Sequence, residues 1–264
     1  MSAPARREGL LWLPRPRPQA RLRLFCFPHA GGWSGSYAPL VEHADEGLEL
    51  ALLEIPGRGT CTRETTAASV ESLASRLGEV IARRFEDGPR VAFLGHSMGA
   101  LVAYEVQHWL LGHVGRGAEA LVLSSCRPPD QIVEHLEYRP EDLGNDEFLV
   151  RRLRQMGNTP DELLAHEEMR ELVLGHYRHD LALLCAYRHR PRPPLLAQVH
   201  VLGGSSDPFV PAPVLGGWQR HAAAPITVDV ISGGHFHLHE RAADVLARLH
   251  NLLPGLRPES ADHS

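Results

Sequence analysis

Long apolar runs are missing from these 264 residues. No stretch approaches the roughly 20 apolar residues that a membrane-spanning helix requires, which excludes an integral helical membrane protein. A secretory leader needs about 7–15 apolar residues and a small-residue cleavage site. The first twenty residues offer only the patch Leu10–Leu13 ahead of Pro14-Arg15-Pro16-Arg17-Pro18, so the expectation is a cytoplasmic chain. Cysteine is sparse: Cys26, Cys61, Cys126 and Cys185 stand far apart with no CxxC, as free thiols in a reducing compartment would. Basic excess is absent too. A formal net charge of -5 excludes the basic stripe of a nucleic-acid binder. There is no internal repeat and no sustained heptad, so a monomer is the default expectation.

What is present is one large domain's worth of chain, 43% hydrophobic, in alternating apolar runs and helical patterns. Arg21–Phe27, Leu48–Glu54, Arg90–Leu94, Ala120–Ser124, Gln198–Leu202 and Thr227–Ile231 read as short strands covered on both faces. Val70–Phe85, Met98–Leu111, Pro213–His221 and Ala242–Leu253 read as helices between them. Strand, crossover helix, strand is the grammar of a mostly parallel sheet flanked by helices, an α/β fold. Residues 127–194 are far longer than a crossover needs and are bounded by prolines, which predicts an inserted helical lid. The expected division is a flexible arm over 1–20, a core over 21–126 and 195–255, and a flexible tail over 256–264.

Gly95-His96-Ser97-Met98-Gly99 follows an apolar run and precedes a long helical pattern. G-x-S-x-G in that context is a nucleophile elbow, where small residues on both sides of the serine let strand and helix pass closely. A serine hydroxyl needs a base within hydrogen-bond reach. Chain order nominates His235, in Gly233-Gly234-His235-Phe236, and makes Asp207 the acid that would orient it, with Asp130 as the competing acid. His237 and His239 at alternate positions open a metal reading, three imidazoles on one strand face, but no Cys or carboxylate cluster completes such a site. The expectation is therefore no metal. Phe27-Pro28-His29-Ala30-Gly31-Gly32 ends the first long strand, so the backbone N–H groups of Ala30 and Met98 are candidates for an oxyanion hole.

These motifs, with Ile55-Pro56-Gly57-Arg58-Gly59, Met156-Gly157-Asn158-Thr159-Pro160, Arg178-His179-Asp180, Tyr187 and Trp218, resemble in their order the type II thioesterases of polyketide and nonribosomal peptide synthesis. The resemblance runs from about Arg21 to Leu252. It implies an α/β-hydrolase fold with a mobile helical lid, no cofactor, and removal of acyl groups from the phosphopantetheine arm of carrier proteins. It implies the triad Ser97, Asp207 and His235 and the oxyanion donors Ala30 and Met98. Two departures leave the partner surface open: Thr65 follows Glu64 where the family has proline, and Ser205-Ser206 precede Asp207. Within the insertion, Leu153, Met156 and Leu183 are candidates to line an acyl chamber, while Arg151, Arg152 and Arg154 form either a carrier-docking patch or a solvated face. A product-releasing thioesterase, a general carboxylesterase and a fold that has lost catalysis are the competing readings.

Overall fold

The computed structural model describes residues 4–85, 88–253 and 255–256. Its frame is an eight-stranded sheet in the order β1-β2-β4-β3-β5-β6-β7-β8. The strands are β1 (Arg6–Glu8), β2 (Leu11–Leu13), β3 (Leu22–Phe27), β4 (Leu48–Leu53), β5 (Arg90–His96), β6 (Ala120–Ser124), β7 (Gln198–Gly204) and β8 (Thr227–Ile231). From β4 to β8 every pairing is parallel, and β2, antiparallel to both β1 and β4, alone runs against the rest. The central strands β3, β4, β5 and β6 are almost wholly buried, which explains their unbroken apolar sequences.

The two sheet faces carry separate cores. Phe25, Phe27, Phe93 and Leu121 point to one face, where α2 (Val70–Ala82) and α3 (Met98–His113) pack. Leu24, Cys26, Leu94 and Val122 point to the other, against α1 (Ala38–His43) and α9 (Ala242–Leu252). This alternation follows from the strand's two-residue period. All six predicted strands are present, with β5 extended to His96 and β7 to Gly204. The predicted helix over 213–221 is instead a short α7 (Ala212–Leu215) followed by a 3₁₀ stretch, Gly216–His221, because the Gly216-Gly217 pair weakens a continuous α-helix.

The expected arm is corrected over 4–20. Leu11 and Trp12 pair with Leu53 and Leu52 of β4, Leu10 accepts a hydrogen bond from Glu54 N, and Leu10, Leu11 and Leu13 are buried. Arg17 donates to the carbonyls of Leu48 and Ala44 at 2.9 Å. The proline and arginine content suggested mobility; the four-residue apolar patch instead closes the sheet edge. Of the expected tail, Leu256 is buried against the body, and 257–264 lie outside the described residues.

Between β6 and β7 lies a helical insertion: three 3₁₀ turns, then α4 (Asp146–Met156), α5 (Asp161–Ala165) and α6 (Glu167–Ala186). Asn145 caps α4 by accepting from Phe148 N. Gly157 stops it in the left-handed region at φ +78°, its N–H reaching Leu153 and Arg154 carbonyls. Leu149, Leu153, Leu174, Tyr177, Leu181 and Leu183 turn inward and seat the insertion on the α3 face. No helix among the described residues is long and apolar enough to cross a membrane.

Candidate active site

Ser97 sits between β5 and α3 with φ +53° and ψ -121°, a strained conformation for a residue with a Cβ. The turn is held by its own backbone: Ser97 N donates to Ser124 O at 2.8 Å and Ala100 N to Ser97 O at 3.0 Å. A Cβ on Gly95 would strike the backbone of Gly99 and Ala100, and one on Gly99 would strike the Phe27 carbonyl. The G-x-S-x-G spacing is therefore a packing requirement of the elbow.

The loops after β7 and β8 carry the residues expected as acid and base. His235 Nδ1 lies 2.8 Å from Asp207 Oδ2, and both residues are buried. The carboxylate can only accept, so Nδ1 carries the proton and Nε2 is left with its lone pair. Nε2 is buried and has no hydrogen-bond partner among the described residues. The other Asp207 oxygen accepts from Phe209 N at 2.9 Å and Val210 N at 3.1 Å. Burial raises the Asp207 pKa, but the bonds from His235 and Phe209 outweigh it and hold the carboxyl below its ordinary value. Asp130, the competing acid, is engaged elsewhere, with Arg220 at 2.6 Å and His221 at 2.8 Å.

Ser97, His235, Ala30 and Met98 all line one cavity of about 110 Å³. Its farther walls come from the insertion and the loops beside it, with Ile132, Leu136, Tyr138, Arg152, Met156, Leu181, Leu184 and Phe209 among them. Of the three lid candidates, Met156 lines this cavity, whereas Leu153 and Leu183 pack into the core. Helical phase decides this: Leu181 and Leu184, three residues apart, share the face that lines the cavity, and Leu183 between them is turned away from it. Arg154 is exposed and paired with Asp161, and Arg151 is exposed, as a solvated face would be. Arg152 departs from that reading. Its side chain is only 11% exposed and turns into the cavity.

Around His235 lies a cage of rings. His96 and Phe236 stand 5.2 and 5.3 Å from it, and His29 meets Phe236 at 4.7 Å. Burial lowers His29 to about 4 and His239 to about 3, so both are neutral at pH 7. His237 and His239 lie on a helical turn, α8 (His237–Glu240), which removes the premise of a three-imidazole strand face. Among the described residues no group of three or more His, Cys, Asp or Glu could hold a metal ion.

One buried ion pair was not foreseen. Arg58, from the loop after β4, meets Asp180 of α6 through two bonds of 2.6 and 2.8 Å, with side chains 2% and 0% exposed. The same Asp180 oxygen accepts from Gly31 N at 2.7 Å, and Arg58 donates to Gly32 O at 3.0 Å. Gly31 holds φ +75° here, which favours glycine. The insertion is thus bonded to the loop that carries Ala30. Both residues stand in the quoted motifs, but their pairing across 122 positions has no local sequence signal.

With this geometry in place, comparison with known proteins gives a consistent answer. A model of the thioesterase domain matches residues 22–253. The chain belongs to the thioesterase family. It is 33% identical over 233 residues to thioesterase PikA5 of Streptomyces venezuelae, covering 88% of this chain and 81% of that one. It is 32% identical to the AMB antimetabolite synthetase AmbE of Pseudomonas aeruginosa across 94% of its own length, but spans only 11% of that synthetase. Among solved structures, the type II thioesterase BorB from the borrelidin biosynthetic cluster superposes with a TM-score of 0.81 at 29% identity, covering 95% of this chain and 98% of that one. The fold is that of the α/β-hydrolase thioesterases, and the chain is a thioester hydrolase.

Proposed function

We propose that this thioesterase hydrolyses short acyl groups from the phosphopantetheine arm of carrier proteins, editing a polyketide or nonribosomal peptide synthase. It acts as a cytoplasmic monomer through Ser97, His235 and Asp207. The observation that carries the reading is the imidazole of His235, fixed through Nδ1 to Asp207 with its Nε2 unpartnered, in the cavity that Ser97 also lines. Ser97 attacks the thioester carbonyl while His235 Nε2 takes its proton. The oxyanion is held by the N–H groups of Ala30 and Met98, each worth about 2.7–4 kcal/mol at the barrier. The carrier thiol leaves with the proton from His235. Water, deprotonated by the same imidazole, then releases the free acid from the acyl-serine. Asp207 fixes the tautomer and stays ionised.

The editing reading, over product release, is supported by the likeness to the type II thioesterase BorB, matched over 98% of that chain. The test presents matched acyl groups on a carrier protein, on a short pantetheine thiol and as an oxygen ester, to the protein and to Ser97→Ala. Serine-dependent turnover fastest from the carrier supports the proposal. Equal turnover of the oxygen ester would reassign the enzyme as a general esterase, and unchanged turnover in Ser97→Ala would end the acyl-serine mechanism.

A further inference from the structure

The insertion's wall of the chamber is mostly apolar, yet it carries a guanidinium that an acyl chain alone would not call for. Arg152 reaches into it from α4 with its guanidinium bracketed by rings, 4.9 Å from the centre of Tyr138 and 5.0 Å from that of Phe209. Among the described residues its buried Nε has no hydrogen-bond partner, and neither has the buried Tyr138 hydroxyl. The Tyr177 hydroxyl approaches the same guanidinium but bonds Met156 Sδ at 3.3 Å. The carboxylate nearest Arg152 is Glu137, at 3.5 Å, and its side chain is 59% exposed, so solvent screens the pair.

The other charged groups on the wall are few. Arg127 reaches Phe209 O at 3.5 Å, and the imidazole of His135 gives its Nδ1 proton to Gln131 O at 3.0 Å. Two guanidiniums and one half-solvated carboxylate therefore stand on the lining of the chamber. A guanidinium is charged at every working pH and presents donors in a planar fork that matches a carboxylate.

Resting on the acyl-serine reading above, we infer that the chamber selects short acyl thioesters whose far end carries a carboxylate, received by Arg152 with the Tyr138 hydroxyl as a second donor. Arg152 touches no reacting atom; it determines which chain is held with its carbonyl at Ser97. The aromatic bracket removes the guanidinium from bulk water without neutralising it, which strengthens a bond to an anion that enters.

The experiment measures binding, so that it does not depend on turnover. Ser97→Ala protein is titrated with N-acetylcysteamine thioesters of equal chain length: succinyl, butyryl and 4-hydroxybutyryl. The succinyl thioester should bind about 10-fold or more tighter than butyryl, the scale of hydrogen bonds to a charged group. Adding Arg152→Met should abolish the difference, Arg152→Lys should keep part of it, and Tyr138→Phe should narrow it. Butyryl binding as tightly as succinyl, 4-hydroxybutyryl matching succinyl, or undetectable binding of all three overturns the inference. The first comparison leaves Arg152 in place, so a misfolded variant does not spoil it. Turnover by the Ser97 protein is read separately. A succinyl preference without serine-dependent hydrolysis would strike the mechanism alone, and hydrolysis without that preference would strike only the role of Arg152.

Discussion

The sheet and the insertion hold their functional residues by different means. In the sheet, position is a property of the backbone: Ser97 is set by an elbow that admits no Cβ at Gly95 or Gly99, and β7 lies so close to the His235 loop that a Cβ on Gly204 would strike the Gly234 carbonyl. In the insertion, position is a property of side chains. Its inner face is seated by leucines and tyrosines, and its polar ties to the body include Asp130 with Arg220 and His221, Arg58–Asp180 and, where the chain returns, Glu105, which accepts from Tyr187 at 2.8 Å and Arg192 at 2.6 Å. Side-chain ties can be exchanged without rebuilding a strand–turn–helix. The contrast therefore separates a part that fixes the chemistry from a part that can be retuned for the acyl group.

The contrast is sharpened most by Asp207→Asn. The amide would turn His235 to the wrong tautomer, and kcat should fall by about 10⁴-fold while the circular dichroism spectrum and melting temperature hardly move. A large loss of stability instead would mean that this pair is part of the frame and not of the chemistry.

Asp180→Ala should do the reverse. It leaves the guanidinium of Arg58 buried without its partner, which costs about 3–5 kcal/mol in urea unfolding. The double variant Arg58→Met/Asp180→Leu should recover most of that loss, because two apolar chains replace the pair without stranding a charge. Equal stability of the single and double variants would show that the pair is not effectively buried in solution.

Acid should weaken the sheet side of the site. Burial lowers His29 to about 4 and His239 to about 3, so the folded chain refuses protons that the unfolded chain binds below its ordinary value of 6.5. That contribution to stability is fully present above pH 6.5 and is lost as the pH falls from there toward 4. Melting temperatures at pH 7.5 and 5 should differ by several degrees, and His239→Phe should flatten the slope, since both ring nitrogens of His239 are buried without partners. The smallest effect belongs to the outer surface of the insertion: Arg154→Ala, which breaks an exposed pair with Asp161, should change stability by no more than about 0.5 kcal/mol.

The legibility of the molecule in its sequence divides along the same line. The six parallel strands and the elbow were readable because their signals are local: unbroken apolar runs, and glycines two residues either side of Ser97. The approach of Asp207 to His235 could be anticipated from chain order, since each follows the end of an adjacent strand. The insertion's bounds were legible from length and proline, but not which of its leucines face the cavity, because Leu181, Leu183 and Leu184 differ only in helical phase. Arg152 was read with its neighbours Arg151 and Arg154 as surface charge; the aromatic rings that enclose it come from Tyr138 and Phe209, distant in sequence. The N-terminal strands were hidden by composition, since prolines and arginines flank the short apolar patch that pairs with β4.

The hydrogen bond from Gly31 N–H to Asp180 has a consequence for timing. Any motion that carries α6 away from the body must break the Arg58–Asp180 pair and, in the same step, free the loop on which Ala30 stands. An uncovered chamber would then hold Ser97 and His235, both carried by the body, beside a loop that had lost its clamp. If the Ala30 N–H is an oxyanion donor, opening would slow hydrolysis by the worth of one donor, and turnover would rise with the closed fraction of molecules. The Asp180 carboxylate would thereby act as a latch shared by the cover and the loop beneath it.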